Sequence, residues 1–317
     1  MTAPSAGGRP RVIHTGQALV DLVVEVPQLP PRGGNVNART TTRHAGGSVT
    51  ILVAAARQGA VTVQAGAVGT GPNGDLVREV LAAEGVTVSS PPVPDLDTAV
   101  CVVLVEPTAE RTFITTRAAE RRISVASLAT SAPVAGDVVC VTGYSLFEPT
   151  VGPLLEWLEA LHDGVRVVLD PGAAFAGFAA GLRERVLART SVWTSNAQEA
   201  AELTGAGTVE ESCHQVASLL GPDAVTVVRD GPQGCFVRVD GTVTYVPGFP
   251  QTPLDTNGAG DTHTGVLCAG LVEGQDWVEV CRRANAAGAI KVTRRGPTTS
   301  PTAAEVDQFL RARSSIT

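Results

Sequence analysis

The second half of the chain sets the tightest limit on the fold. From residue 137 onward, short apolar runs at 138–141, 166–169, 191–194 and 224–228 alternate with stretches of helical character. Runs this short and this continuously apolar belong to strands buried on both faces, and parallel strands need a crossover of about a dozen residues or more between them. The rhythm predicts an α/β body, with a mostly parallel sheet between two layers of helices. In such sheets ligands bind outside the carboxyl ends of the strands. Functional residues are therefore sought in the loops that follow strands.

The N-terminal part reads differently. Residues 11–26 suggest two strands with a turn near Gly16, followed by a Pro-, Gly- and Asn-rich loop over 27–37 and a strand over 38–43. Ser48 is expected to N-cap a helix over 49–58. A strand over 61–68, a helix over 75–84 and a hairpin over 98–116, turning at 107–110, complete this part. The expected organisation is one domain over 11–317, with extra strands from 16–45 and 98–116, preceded by a flexible segment over 1–10.

Composition removes several function classes. The net charge is −7 with no long basic block, which disfavours nucleic acid as a partner. No window approaches the roughly 18 apolar residues of a membrane span. Six cysteines show no C-x-x-C pair and read as buried thiols in a reducing compartment. The polar residues 1–10 lack the apolar run of a signal peptide, so the expected location is the cytoplasm. A G-x-G-x-x-G after the first strand, which a dinucleotide oxidoreductase would need, is missing, since Gly16 stands alone.

The informative stretch is Pro-Leu-Asp-Thr-Asn-Gly-Ala-Gly-Asp-Thr, from Pro253 to Thr262. A Gly-rich turn running into a helix directs main-chain N–H groups and the positive dipole end at one point, an anion site suited to phosphate. A carboxylate there repels phosphate. Asp261 makes sense if it takes a proton from an attacking hydroxyl while the amides hold the charge developing on the phosphoryl group. The plain alternative is an N-cap and an ordinary turn.

The whole string resembles the C-terminal signature of the PfkB family of carbohydrate kinases, which have the ribokinase-like fold. The resemblance implies Asp261 as catalytic base, with the amides of Gly258, Ala259 and Gly260 as anion hole. It extends along nearly the whole chain. Asn196-Ala-Gln-Glu199 matches a motif that organises Mg²⁺ and phosphate largely through water; alone, it is also a common helix start. Arg229, Gly231 and Gly234 lie in a segment similar to the family's nucleotide-holding strand-turn, or in a plain hairpin. Asn285 stands where the family borders adenine, or where helices pack closely. Asp255, Asn257 and Ser300 would line the site of a monovalent cation, K⁺ in many relatives.

On the acceptor side, Asp21 matches the family carboxylate that binds sugar hydroxyls, a role suited to a neighbouring pair of hydroxyls. Gly46 and Gly47 match the first family signature. The sugar-contacting Asn that follows there is absent, and Leu19 replaces a polar contact, so ribose is not implied. Asn35, Asn37 and Arg117 are further acceptor candidates, Arg117 for an anionic group. Tyr144 could stack on a ring or pack at an edge, and His263 reads as a packed residue. The family's lid comes from the N-terminal region and often pairs with another subunit, which implies a homodimer. The expected activity is ATP- and Mg²⁺-dependent phosphorylation of a hydroxyl, expected to be primary, on a small sugar, nucleoside or sugar acid. The alternative is a non-catalytic nucleotide- or sugar-binding regulator, which would have no need of Asp261.

Overall fold

The structure, a computed structural model, describes residues 8–108 and 110–314. The expected flexibility over 1–7 and the turn residue Ala109 lie outside the described residues. Strands β1 (Arg11–His14), β2 (Ala18–Glu25) and β3 (Thr40–Gly47) lead into helix α1 (Ser48–Arg57). Strand β4 (Val61–Gln64), helix α2 (Pro72–Ala83) and strands β5 (Thr87–Val88), β6 (Val100–Val105) and β7 (Arg111–Thr115) follow. The next part runs α3 (Val125–Ala129), β8 (Val138–Thr142), α4 (Val151–Glu159), β9 (Arg166–Asp170), α5 (Ala180–Arg189) and β10 (Val192–Asn196). The chain continues through α6 (Ala197–Thr204), α7 (Val209–Ser218), β11 (Val225–Arg229), β12 (Gly234–Val239) and β13 (Thr242–Pro247). It ends with α8 (Ala259–Val272), α9 (Trp277–Lys291) and α10 (Ala303–Ser314).

A nine-stranded sheet has the order β13-β12-β11-β10-β9-β8-β1-β4-β5. It is parallel from β5 to β11, and β12 and β13 add antiparallel strands at one edge. Adjacent residues Val12 and Ile13 point into opposite cores. Val12 packs with Leu52, Leu81, Leu267 and Val280 of α1, α2, α8 and α9. Ile13 packs with Leu128, Leu158 and Val216 of α3, α4 and α7. Both faces are thus dry, which explains the continuous apolar runs and gives the expected three layers.

A second sheet, of order β3-β2-β6-β7, is built from the segments expected to supply extra strands. Its β2–β6 pair is parallel, and its outer pairs are antiparallel. Three local expectations need correction. Gly47, not Ser48, is the N-cap of α1, because β3 runs straight into the helix through Gly47 at φ 63°. Strand β4 stops at Gln64, whose Nε2 donates to the Gly16 carbonyl and turns the chain. The β12–β13 hairpin has no counterpart in the expectations, because its strands are half-polar edge strands.

Candidate active site

The Pro253–Thr262 stretch packs against the C-terminal end of α9. The amides of Leu254 and Asp255 both donate to the Val292 carbonyl. Asp255 pins the loop on both sides, its Oδ1 accepting from the Asn257 amide and its Oδ2 from the Gly296 amide, each at 2.8 Å. Gly258 then takes a left-handed conformation, φ 76°, as N-cap of α8. A side chain there would meet the Pro297 carbonyl at 2.8 Å, so only glycine fits.

This geometry decides which main-chain amides of the turn stay open. The Asn257 amide is engaged by Asp255, and the Ala259 amide reaches the Thr256 carbonyl at 3.3 Å. Among the described residues, the amides of Gly258, Gly260 and Asp261 have no acceptor. They leave a group of donors at the positive end of α8. Asp261 lies in the first turn of the helix rather than at its cap. Its carboxylate, partly open to solvent, has no donor among the described residues. Burial, with the charge of Asp170 adding and Arg229 opposing, raises it to about 7.

Beneath Asp261 lies a network the sequence did not disclose. Arg229 Nη1, at the end of β11, donates to Asp170 Oδ2 at 3.2 Å, Thr194 Oγ1 at 3.1 Å and Thr264 Oγ1 at 2.7 Å. Thr264 Oγ1 also donates to Asp170 Oδ2. Asp170 ends β9, and Thr194 lies in β10. The carboxyl ends of three parallel strands thus converge under the first turn of α8. An aspartate at a strand end, followed by Pro171, was the available signal for Asp170.

Asn196 and Glu199 form a reciprocal capping box at the start of α6, with Asn196 Oδ1 accepting from the Glu199 amide and Glu199 Oε2 from the Asn196 amide. Burial and then the charge of Asp170 raise the Glu199 carboxyl. Asp170, Glu199 and Asp261 therefore share one guanidinium, an excess of negative charge that suits a hydrated Mg²⁺. No group of three or more acidic, His or Cys side chains among the described residues is placed to hold a metal directly.

The proposed nucleotide residues separate. Gly231 and Gly234 bound the turn of the β11–β12 hairpin, where the Asp230 amide donates to the Gly234 carbonyl at 2.7 Å. Asn285 is buried and bonded within the fold. Its Nδ2 donates to the carbonyls of Val246 and Pro247, and its Oδ1 pairs with His263 Nε2, so its amide is fully engaged inside the fold. His263 is buried beside it, as expected. Ser300 also turns inward. Its Oγ pairs with Thr262 Oγ1 at 2.9 Å, and its carbonyl accepts from Arg57 Nη1 at 2.6 Å.

On the acceptor side, Asp21 projects from β2 toward the signature loop, with its Oδ2 3.5 Å from Asn257 Nδ2. Burial raises its carboxyl to about 6. Gly46 makes room for it, since a side chain at Gly46 would meet Asp21 Oδ2 at 2.6 Å. Gly47 continues from Gly46 into α1. Thr50, in the first turn of α1, is a residue the sequence did not single out: it packs against Gly258, and its buried hydroxyl has no partner among the described residues. Asn35 and Asn37 are not brought in. They are exposed in the loop after β2, whose last residue, Glu25, is four residues beyond Asp21, about 13 Å along the strand. Arg117 lies just after β7, near Arg121. Tyr144 follows β8 with its ring over Gly172, half-exposed at 52%.

A cavity of about 540 Å³ opens between the second sheet and the signature loop, bordered by Glu25, Thr42, His44, Arg111, Asp255 and Asn257. Asp261 does not line it, so the open amides and the carboxylate lie outside this cavity. Arg111 Nη2 donates to Thr256 Oγ1 at 2.7 Å, and Arg295 pairs with Glu25 at 3.0 Å. These two contacts tie the second sheet to the body. All six cysteines are buried and free. No helix among the described residues is long and apolar enough to cross a membrane.

Comparison with known proteins gives the family and the fold. The model of the pfkB family carbohydrate kinases matches residues 9–304. The chain is 29% identical over 314 residues to YegV, an uncharacterized sugar kinase of Escherichia coli strain K12, covering 96% of this chain and 95% of that one. It is 30% identical over 309 residues to an ATP-dependent ribose-1-phosphate kinase of Halopiger xanaduensis, covering 96% and 99%. The crystal structure of a ribokinase from Thermotoga maritima superposes with a TM-score of 0.79 at 23% identity, covering 95% of this chain and 99% of that one. The fold is ribokinase-like.

Proposed function

The chain belongs to the pfkB family of carbohydrate kinases, and on that footing we propose that it transfers the γ-phosphoryl group of ATP to a hydroxyl of a small sugar or sugar derivative. One observation carries the reading: a partly open carboxylate, Asp261, stands in the same helical turn as three unengaged amides. The amides of Gly258 and Gly260 stabilise the charge on the transferring group, and Asp261 accepts the proton of the attacking hydroxyl. Its carboxyl, raised to about 7 by burial, is matched to that task near neutral pH.

Asp21, held by the space at Gly46, binds acceptor hydroxyls and orients one of them toward Asp261. Arg229 balances Asp170 and stands next to Gly260, where a side chain would contact its guanidinium. Glu199 and Asp170 would hold Mg²⁺ through its waters, and the ion would neutralise phosphate charge. The second sheet acts as a lid that excludes water. Its outer face presents Leu22, Val24, Val102, Leu104 and the exposed Ile114, an apolar surface that supports pairing of lids in a homodimer.

The test is ADP release across a panel of sugars, sugar phosphates, nucleosides and sugar acids, with wild type beside Asp261→Asn. Wild type turns over at least one acceptor, and the variant loses about 10²-fold or more. Equal rates would remove Asp261 from the chemistry. ATP binding with no acceptor turned over would favour a regulatory binding protein instead.

A further inference from the structure

Lys291 is the chain's single lysine. It ends α9, is 0% exposed, and its Nζ donates to the main-chain carbonyl of Asp255 at 2.9 Å. The Asp255 carboxylate lies 3.9 Å from the same Nζ. An ammonium enclosed this fully is destabilising unless opposite charge and acceptors surround it. Here they are supplied by Asp255, which pins the signature loop three positions before the Gly258–Asp261 turn.

Two of the three residues expected to line a monovalent-cation site, Asp255 and Ser300, have their oxygens engaged elsewhere and fit a free cation poorly. The Asp255 carbonyl already accepts from Lys291, and both Asp255 carboxylate oxygens accept main-chain amides. Ser300 has its hydroxyl on Thr262 and its carbonyl on Arg57. The Asn257 side chain points toward Asp21. The carbonyl and carboxylate oxygens of Asp255 and both oxygens of Ser300 are engaged, and a positive charge already stands beside Asp255.

We propose that the Lys291 ammonium is a built-in cation that holds Asp255, and through it the amides of Gly258 and Gly260, so that the enzyme works without a free monovalent cation. This rests on the kinase reading of the Gly258–Asp261 turn. Lys291 is a positioning residue, since it meets the loop from behind rather than touching either substrate. Its loss lowers kcat more than the KM for ATP, because the amides act on the transferring group.

Three measurements test this. Wild-type turnover is compared in sodium, potassium and tetramethylammonium chloride at equal ionic strength, and rates within about twofold are expected; a potassium stimulation of about fivefold or more overturns the proposal. Lys291→Met is expected to lose about tenfold or more in kcat, with the KM for ATP within about threefold and partial recovery in ammonium or potassium chloride; an unchanged kcat overturns it. Should that variant fail to fold, wild type labelled with ¹⁵N-lysine still gives a single side-chain signal. A signal with slowly exchanging protons, unmoved by potassium chloride, supports the proposal, and one that exchanges freely or shifts with potassium overturns it. That last measurement needs no acceptor, so it stays readable even if the kinase reading fails.

Discussion

Replacing Asp261 by Asn should make the protein more stable as well as inactive, and the gain should depend on pH. Burial raises the Asp261 carboxyl from 3.8 to about 7, so the folded state holds a proton that the unfolded chain releases. Stability from this group is therefore present below about pH 4 and is lost as pH rises to about 7. In a fully enclosed site the loss would be about 4 kcal/mol. Asp261 keeps an open side, where solvent screens the charge, and about 1–3 kcal/mol is the working figure. Asn is neutral in both states and escapes the loss. At about 2 °C per kcal/mol for a chain of this length, the Tm gap between Asp261→Asn and wild type should widen by about 2–6 °C between pH 4.5 and pH 8. The gap should level off above pH 7. Scanning calorimetry at four pH values measures it. A gap that stays constant or narrows with rising pH would refute the burial argument, whatever the variant's activity.

Other consequences are simpler. Wild-type kcat/KM should rise about tenfold per pH unit on the acid side and flatten near pH 7, where Asp261 is ionised; a profile flat from pH 5 to 8 would contradict its role as base. Gly46→Ala places a carbon 2.6 Å from Asp21 Oδ2 and should raise the acceptor KM about tenfold with the KM for ATP unchanged, as steady-state kinetics in each substrate would show. Arg229→Leu leaves Asp170 without its counter-charge and should cost about 3–5 kcal/mol in urea unfolding; a loss under 1 kcal/mol would mean that Asp170 is solvated. Asn196→Ala removes half of the α6 capping box and should cost about 1 kcal/mol, read from the same transitions.

The parts legible in the sequence are those decided within a few residues. The Gly258–Asp261 turn could be read because its conformation, its glycine and its following helix are all local. The parallel sheet could be read because strands buried on both faces leave unbroken apolar runs. The Asn196–Glu199 spacing was legible in both its meanings, and the structure shows the cap directly. The second sheet was visible only as segments, since the parallel β2–β6 pairing joins residues about eighty apart.

What the sequence alone determined is the parallel α/β body and the one glycine-rich turn proposed to carry the base. The tertiary structure decided which charges meet. Arg229 and Asp170 are 59 residues apart, and Lys291 and Asp255 are 36 apart. No local pattern marks either pair, because an ion pair requires only that two side chains reach the same point. That point is set by which strands lie side by side and by where α9 ends. The same packing engaged Asn285 and Ser300 inside the fold and left Asn35 and Asn37 on an outer loop. A polar residue is free for a ligand only when its neighbours in space leave it unpaired, and those neighbours come from distant parts of the chain.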